Sequence, residues 1–499
     1  MASGRAPPDP PFVDTQIRIP VSLARKLAVN VLVQAVGKIA IAALSLGTIA
    51  ILTRHLGVDG FGEYRTVIGF MAFAQLFGNL GVHLVFVRNV SQPGADQSSL
   101  LGNGLSLRLI GSTAVLLIAA GIAWLLPYTD AVKEGCLIAV AGMAALGAHQ
   151  MIVVVFQQHL KQTGPVVAEV LGALVLFGGV LLGTYLGVSV LAMITVTALG
   201  SVVTLIVSWT LVKRLVPFRL RYELAAWSAL LIPAIPLALG DLLQLVSYRS
   251  DTILLSLLQP ASVVGQYGVA SRVQDTLIGI SLMFSQLMIP VLARYGTEDK
   301  VNFRLHLQRA LDVLSVGCVG ATALIAAYAL PIVLLIAGRE FADAAVPLQI
   351  LAATMAVKSI AVVFWQGAAV INEQKKMLWG FALSAILGLT SYLILIPRLG
   401  ATGAAISTLV GETALWIFAI VLLARRTGGY PSPTIFIKSV IAGAIALWLA
   451  WEVLPATGLY WMIQGAIAGT VYVGIVVAIG AVPISLIREL LLARKAKQS

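Results

Sequence analysis

Four basic residues stand inside long apolar runs of this chain: Lys38, Arg249, Arg272 and Lys358. A charge at the centre of a hydrocarbon layer costs at least ~2.5–3.5 kcal/mol even on the lenient insertion scale. Such side chains must face a hydrated cavity or be paired inside a helical bundle. Lys38 shares a polar face with Asn30, Gln34, Ser45 and Thr48, all within about 80° of one side of a helix. No acid lies within a turn of Lys38, which makes it the clearest cavity-lining candidate. Gln75, Asn79 and His83 follow at intervals of four on one face. Asp241, Gln244, Tyr248 and Asp251 share another face, with Arg249 at its flank. Arg272 and Asp275 are spaced for an intrahelical ion pair. Lys358 shares a face with Gln366, and Glu169 and Glu412 stand as isolated acids. The neutral stripes read equally well as hydrogen-bonding glue between helices. The isolated acids either couple ions or bond a neighbouring helix.

The elements that position these residues are transmembrane helices. Of 499 residues, 59% are hydrophobic and 11% charged, against about 25% charged in ordinary domains. The apolar residues come in blocks of the roughly 20 residues that a helix needs to cross hydrocarbon. The pattern predicts an all-α polytopic membrane protein of about 14 helices. The expected spans are 27–53, 65–88, 104–127, 133–157, 165–186, 188–212, 227–257, 263–293, 305–337, 343–371, 375–396, 399–424, 435–454 and 460–487. With the N-terminus inside, the outer loops hold only Arg54, Arg65, Lys133, Arg339 and Arg398. The four cations within spans are set aside, and 24 of the 33 Lys and Arg then fall inside. That excess assigns both termini to the cytoplasm.

The formal charge of +12 gathers at block ends, not on a stripe, so nucleic acid is not an expected partner. The Pro-rich start (Pro7, Pro8, Pro10, Pro11, Pro20) predicts a disordered tail over 1–26, and a basic tail covers 488–499. The first apolar block, near Leu27, reads as a retained helix, not a cleaved signal. Cys136 and Cys318 have neither disulfide nor metal spacing, and the five histidines (His55, His83, His149, His159, His306) are scattered. No glycine loop for phosphates, zinc site or nucleophile–base set is visible. No cofactor is expected, and a membrane-bound glycosyltransferase or ligase is disfavoured.

An internal repeat organises the spans. Ile51 to Tyr64 ends in Gly62-Glu-Tyr64, and Leu254 to Tyr267 ends in Gly265-Gln-Tyr267, 203 residues later and without a gap. Leu186-Gly187 parallels Leu399-Gly400 more weakly. Six spans separate the copies, so the two have the same orientation. The expected arrangement is two parallel six-helix lobes, 27–212 and 213–426, followed by two extra helices over 427–487. Repeat transporters of this plan bind substrate between the halves near the midplane.

The stretch Ala50-Ile-Leu-Thr-Arg-His-Leu-Gly-Val-Asp-Gly-Phe-Gly-Glu-Tyr64 resembles the opening of polysaccharide-export flippases of the Wzx kind, as does Gly78-Asn-Leu-Gly-Val-His-Leu-Val-Phe-Val-Arg88. Val264-Gly-Gln-Tyr-Gly-Val-Ala-Ser-Arg272, running on to Pro290-Val-Leu-Ala-Arg294, looks like the second-half motif. Leu399-Gly-Ala-Thr-Gly-Ala-Ala405 resembles the entry to helix twelve. The resemblance covers nearly the whole chain and is specific at superfamily level, which includes drug and cation antiporters.

The resemblance implies alternating access and a cationic cavity for an undecaprenyl-diphosphate-linked oligosaccharide in a bacterial inner membrane. Lys38, Arg249 and Arg272 stand where the family's cavity cations lie. Asn30, Gln34, Gln75, Asn79, His83, Gln244, Tyr248 and Lys358 are the further cavity-lining candidates. Asp241, Asp251 and Asp275 are the candidates for proton or sodium coupling. Expected partners are the lipid-linked substrate, membrane lipids, and a polymerase or glycosyltransferases of an export pathway. Two alternatives stay open: a drug or cation antiporter with an acid-dominated cavity, and a non-transporting membrane scaffold.

Overall fold

The computed structural model describes residues 21–79, 81–296, 298–458 and 460–481. Side chains over 21–29, 31–32 and 236–249, and at a few single positions, lie outside the described set. Asp241, Gln244, Tyr248 and Arg249 fall there, as do most of the expected N-terminal tail and all of the C-terminal tail.

The described residues fold into helices: α1 (Val21–Phe77), α2 (Val82–Val90), α3 (Gln97–Leu125), α4 (Asp130–Gln158), α5 (Thr163–Tyr185), α6 (Val190–Lys213), α7 (Leu224–Leu258), α8 (Ala261–Tyr295), α9 (Lys300–Ala327), α10 (Ala329–Ala337), α11 (Ala345–Val370), α12 (Gln374–Thr427), α13 (Thr434–Trp448) and α14 (Trp461–Ala478). Among the described residues, eleven helical stretches are long and apolar enough to cross a membrane. Lipid accepts helices because each satisfies its own backbone polar groups. Large apolar side chains such as Ile118, Leu182, Ile232 and Ile386 point outward, as a lipid-facing surface requires. The chain is a multi-pass membrane protein.

Four breaks depart from the expected spans. The loops expected at 54–64 and 397–398 are helical. α1 and α12 run through and fold at Gly57 (φ 66°) and Gly400 (φ 55°), a left-handed backbone that glycine adopts without strain. The expected span 65–88 is interrupted between Phe77 and Val82, where Gly81 has φ 70°. The expected span 305–337 breaks at Tyr328, between α9 and α10.

Helices α1 and α3–α6 pack together, and α8, α9, α11 and α12 form a second group. At one end the groups share a single core that runs from Leu52, Phe61 and Met71 to Tyr267, Phe341 and Ala404. At the other end the two groups have separate cores, and the start of α7, with Leu230 and Ala234, packs into that of α1 and α3–α6. One is built on Phe86, Met151 and Phe156, the other on Phe303, Phe364 and Phe381. The molecule thus has a joined end and a split end.

The repeat glycines make the joint. A Cβ at Gly62 would collide with the Ala261 carbonyl, and one at Gly265 would sit 2.5 Å from the Val58 carbonyl oxygen. The two Gly-x-Tyr units therefore cross backbone on backbone. Each tyrosine then meets a threonine of its own half. Tyr64 Oη lies 3.0 Å from Thr197 Oγ1, and Tyr267 Oη lies 3.4 Å from Thr408 Oγ1. The helix caps repeat as well. Asp96 accepts from Ser99 N at 3.1 Å to start α3, and Asp299, again 203 residues on, accepts from Asn302 N at 3.0 Å to start α9.

Candidate functional site

The charged groups nearest the joint come from both halves. Arg65, counted with an outer loop from sequence, stands in α1 one residue past Tyr64. Its guanidinium reaches α8, where Nη2 makes a long 3.4 Å contact with Ser271 Oγ. A Cβ at Gly268 would come within 2.8 Å of the Arg65 side chain, so that glycine makes room for the arginine. Arg272, on α8, reaches the opposite way and donates from Nη2 to Ser45 Oγ of α1 at 2.6 Å. Two guanidiniums thus interlock across the seam, each bonded to a serine hydroxyl of the other half.

Lys38 is exposed, seven residues before Ser45. Seven residues are two turns, so Lys38 lies on the Ser45 face about 10 Å nearer the split end. The opposite face of α1 packs on α5 through Gly37 against Val166 and Gly47 against Phe177. A cavity of about 480 Å³ between α1 and α5 on that opposite side is lined only by apolar residues, among them Val33, Ala40 and Val170. The polar side of α1 is therefore the side turned toward α8. Gln34 is half-buried.

Other candidates go elsewhere. Asn30 donates to the Leu160 carbonyl at 2.7 Å and braces the turn between α4 and α5. Gln75 is buried inside the first half, where a Cβ at Gly147 would meet both its amide and Arg108. Asn79 sits in the break between α1 and α2, and His83 is half-buried on α2. Lys358 lies inside the second half, 3.0 Å from the Glu412 carboxylate, with side-chain exposures of 13% and 2%. Asp251 accepts from Tyr267 Oη at 2.6 Å, and Tyr392 Oη lies 2.9 Å from Thr408 Oγ1. Asp275 is exposed one turn from Arg272.

Three features escaped the sequence reading. Arg65 is one. Arg108, counted on the inner side in the charge tally although it lies within the expected span 104–127, is 3% exposed within the first half. It donates to the carbonyls of Gly78 and Gly147. The Gly78 carbonyl belongs to the open end of α1, where a cation complements the helix dipole. The third is a contact between His149 and Glu169, both noted from sequence but not together.

The comparisons with known proteins fit this architecture. A family model described as polysaccharide biosynthesis protein matches residues 27–296. The chain belongs to that family. A structure of the lipid II flippase MurJ, in an inward closed conformation, superposes with a TM-score of 0.75 at 14% identity, covering 92% of this chain and 99% of that one. An inward-facing multidrug resistance MATE transporter of the MOP superfamily gives 0.60 at 16%, covering 79% and 98%. A MOP superfamily transporter from Pyrococcus furiosus, whose binding pocket is described as of reverse polarity, gives 0.54 at 18%, covering 82% and 95%. None of the curated proteins matches in sequence. At these identities the superpositions show the fold, and this polysaccharide biosynthesis protein has the fold of the MOP exporters. Its two arginines sit on the seam between the two halves of that fold.

Proposed function

We propose that the chain flips an undecaprenyl-diphosphate-linked oligosaccharide from the cytoplasmic to the outer leaflet of a bacterial inner membrane by alternating access. The observation that carries this reading is the Arg65–Arg272 pair, held by Ser271 and Ser45 across the seam. A diphosphate brings about two negative charges, and guanidiniums in a partly dry cavity attract them strongly because the effective dielectric is low. Lys38 extends the positive face toward the split end. On the charge tally the end with separate cores faces the cytoplasm, the side where the substrate is made. The sugars occupy water between the halves, 27–212 and 213–426, and the prenyl chain stays in lipid.

Return to the other state needs the Gly62–Gly265 crossing to part and the split ends to close. With the cytoplasm negative, outward passage of one anionic charge gains about 2.3 kcal/mol per 100 mV. Arg65→Ala and Arg272→Ala are each expected to lower polysaccharide export at least tenfold at normal protein level, with partial recovery by Lys. Export unchanged in both variants rules the proposal out.

A further inference from the structure

Buried hydroxyls of the first half commonly bond a carbonyl one turn back, as Thr204 does with Gly200 and Ser208 with Thr204. Where α1 ends against α3 and α4, three side chains do not follow that pattern. Arg108 Nη2, both polar atoms of the Gln75 amide and Ser112 Oγ are buried with no hydrogen-bond partner among the described residues. The three residues are 3%, 7% and 0% exposed.

These groups converge. Ser112 stands four residues after Arg108, on the same face of α3. Gln75 stands three residues before Gly78, whose carbonyl accepts from Arg108 Nη1. A Cβ at Gly147 of α4 would sit 2.2 Å from Gln75 Nε2 and 3.2 Å from Arg108 Nη2, so the two nitrogens lie no farther apart than the sum of those distances. A Cβ at Gly78 would sit 3.4 Å from Ser112 Oγ. Glycine at both positions lets the three polar groups gather where the helices meet.

Donors outnumber acceptors there. Arg108 Nη2 carries two N–H groups, the amide of Gln75 two and the hydroxyl of Ser112 one, against Gln75 Oε1 and Ser112 Oγ as acceptors. Turning the amide over exchanges its ends and leaves the count as it is. A water accepts from two donors but brings two of its own, so hydration does not remove the surplus. The charge points the same way. Arg108 bonds two carbonyls and, among the described residues, no carboxylate. The end of α1 offers it about half a negative charge. Glu169 is engaged on another side of α4, by His149, about 200° around that helix from Gly147. About half a positive charge is left about 16 Å along α3 from its start, where uncompensated charge is costly.

We propose that Arg108, Gln75 and Ser112 bind a small monovalent anion, chloride, inside the first half, and that the ion ties the end of α1 to α3 and α4. An anion accepts from every one of these donors and adds none. One negative charge matches one guanidinium, whereas a phosphate would overcharge it. The site is separate from Arg65 and Arg272, which bond Ser271 and Ser45 across the seam, and it holds whatever the cargo is. The break between Phe77 and Val82 lies immediately beyond Gly78, so the ion fixes the place where the chain turns from α1 into α2.

The test uses the full chain in detergent, melted in sodium chloride and in sodium gluconate at equal ionic strength. Chloride is expected to raise Tm with a saturating dependence on its concentration. Gln75→Met and Ser112→Ala each remove a donor and keep the guanidinium. Each is expected to weaken the apparent chloride affinity by about tenfold or more, since a hydrogen bond to a charged group contributes about 1.5–3 kcal/mol. The seam arginines are intact in both variants, so an affinity identical to wild type in both places the ion elsewhere and overturns the site. Crystals of wild type grown in sodium bromide are expected to show an anomalous peak beside Arg108 Nη2 that is lost in Gln75→Met. Water only at that position in wild type overturns the proposal.

Discussion

In the first half of the molecule Tyr64 meets Thr197; in the second, Tyr267 meets Thr408. Asp96 caps α3 as Asp299 caps α9. The two halves thus share these fastenings. Their buried charges do not repeat. The second half encloses a complete ion pair, Lys358 with Glu412, and ties Asp251 to Tyr267. The first half encloses Arg108, held by two carbonyls, and sets His149 against the half-exposed Glu169. Fastenings set by backbone geometry are alike on both sides because both sides make the same joint. Buried charges are free to diverge because each needs only a local partner.

The sharpest way to break this contrast is to remove one member of the closed pair. Lys358→Ala leaves Glu412, 2% exposed, as an uncompensated buried carboxylate and is expected to cost about 3–5 kcal/mol. Lys358→Met combined with Glu412→Leu removes both charges and is expected to recover most of that loss, read as Tm in detergent. If the single variant melts like wild type, the pair is not closed. A smaller effect sharpens the comparison of the tyrosines. Tyr267→Phe takes a donor from the Asp251 carboxylate and is expected to cost about 1.5–3 kcal/mol, whereas Tyr64→Phe loses a neutral bond worth about 0.5–1.5 kcal/mol. Equal losses would remove the distinction. The smallest effect concerns the caps. Asp96→Ala and Asp299→Ala should each lower Tm slightly, and the second should also change its pH dependence. Bonds from the Asn302 backbone and side chain hold the Asp299 carboxyl below the usual carboxylate range. Its contribution is therefore present above the ordinary carboxylate pKa and is lost as the pH falls through the depressed value. A wild-type melting profile flat across that acid range would show that the cap does not bind protons differently on unfolding.

The resemblance of Gly62-Glu-Tyr64 to Gly265-Gln-Tyr267 was legible because close backbone approach demands glycine at both crossing points. The partners of Lys358 and Glu169 were not legible. Glu412 is 54 residues from Lys358, and His149 is 20 residues from Glu169. Helices such as α5 and α6 are apolar on nearly every side, so periodicity does not say which face meets which neighbour. Arg65 and Arg108 were tallied with the outer and inner sides because both lie within a turn or so of an expected span end. The helices in fact extend past those ends or break elsewhere.

The order of apolar blocks by itself determined that this chain crosses the membrane many times as helices, because continuous apolar runs of about 20 residues span hydrocarbon with every backbone group bonded within the helix. It also determined that the chain carries charge into that layer. Only the tertiary structure decided which charges meet. It set Arg65 and Arg272 across one seam, closed Lys358 on Glu412, and placed His149 before Glu169. Those contacts depend on the rotation of each helix about its axis, and packing against neighbours sets that rotation.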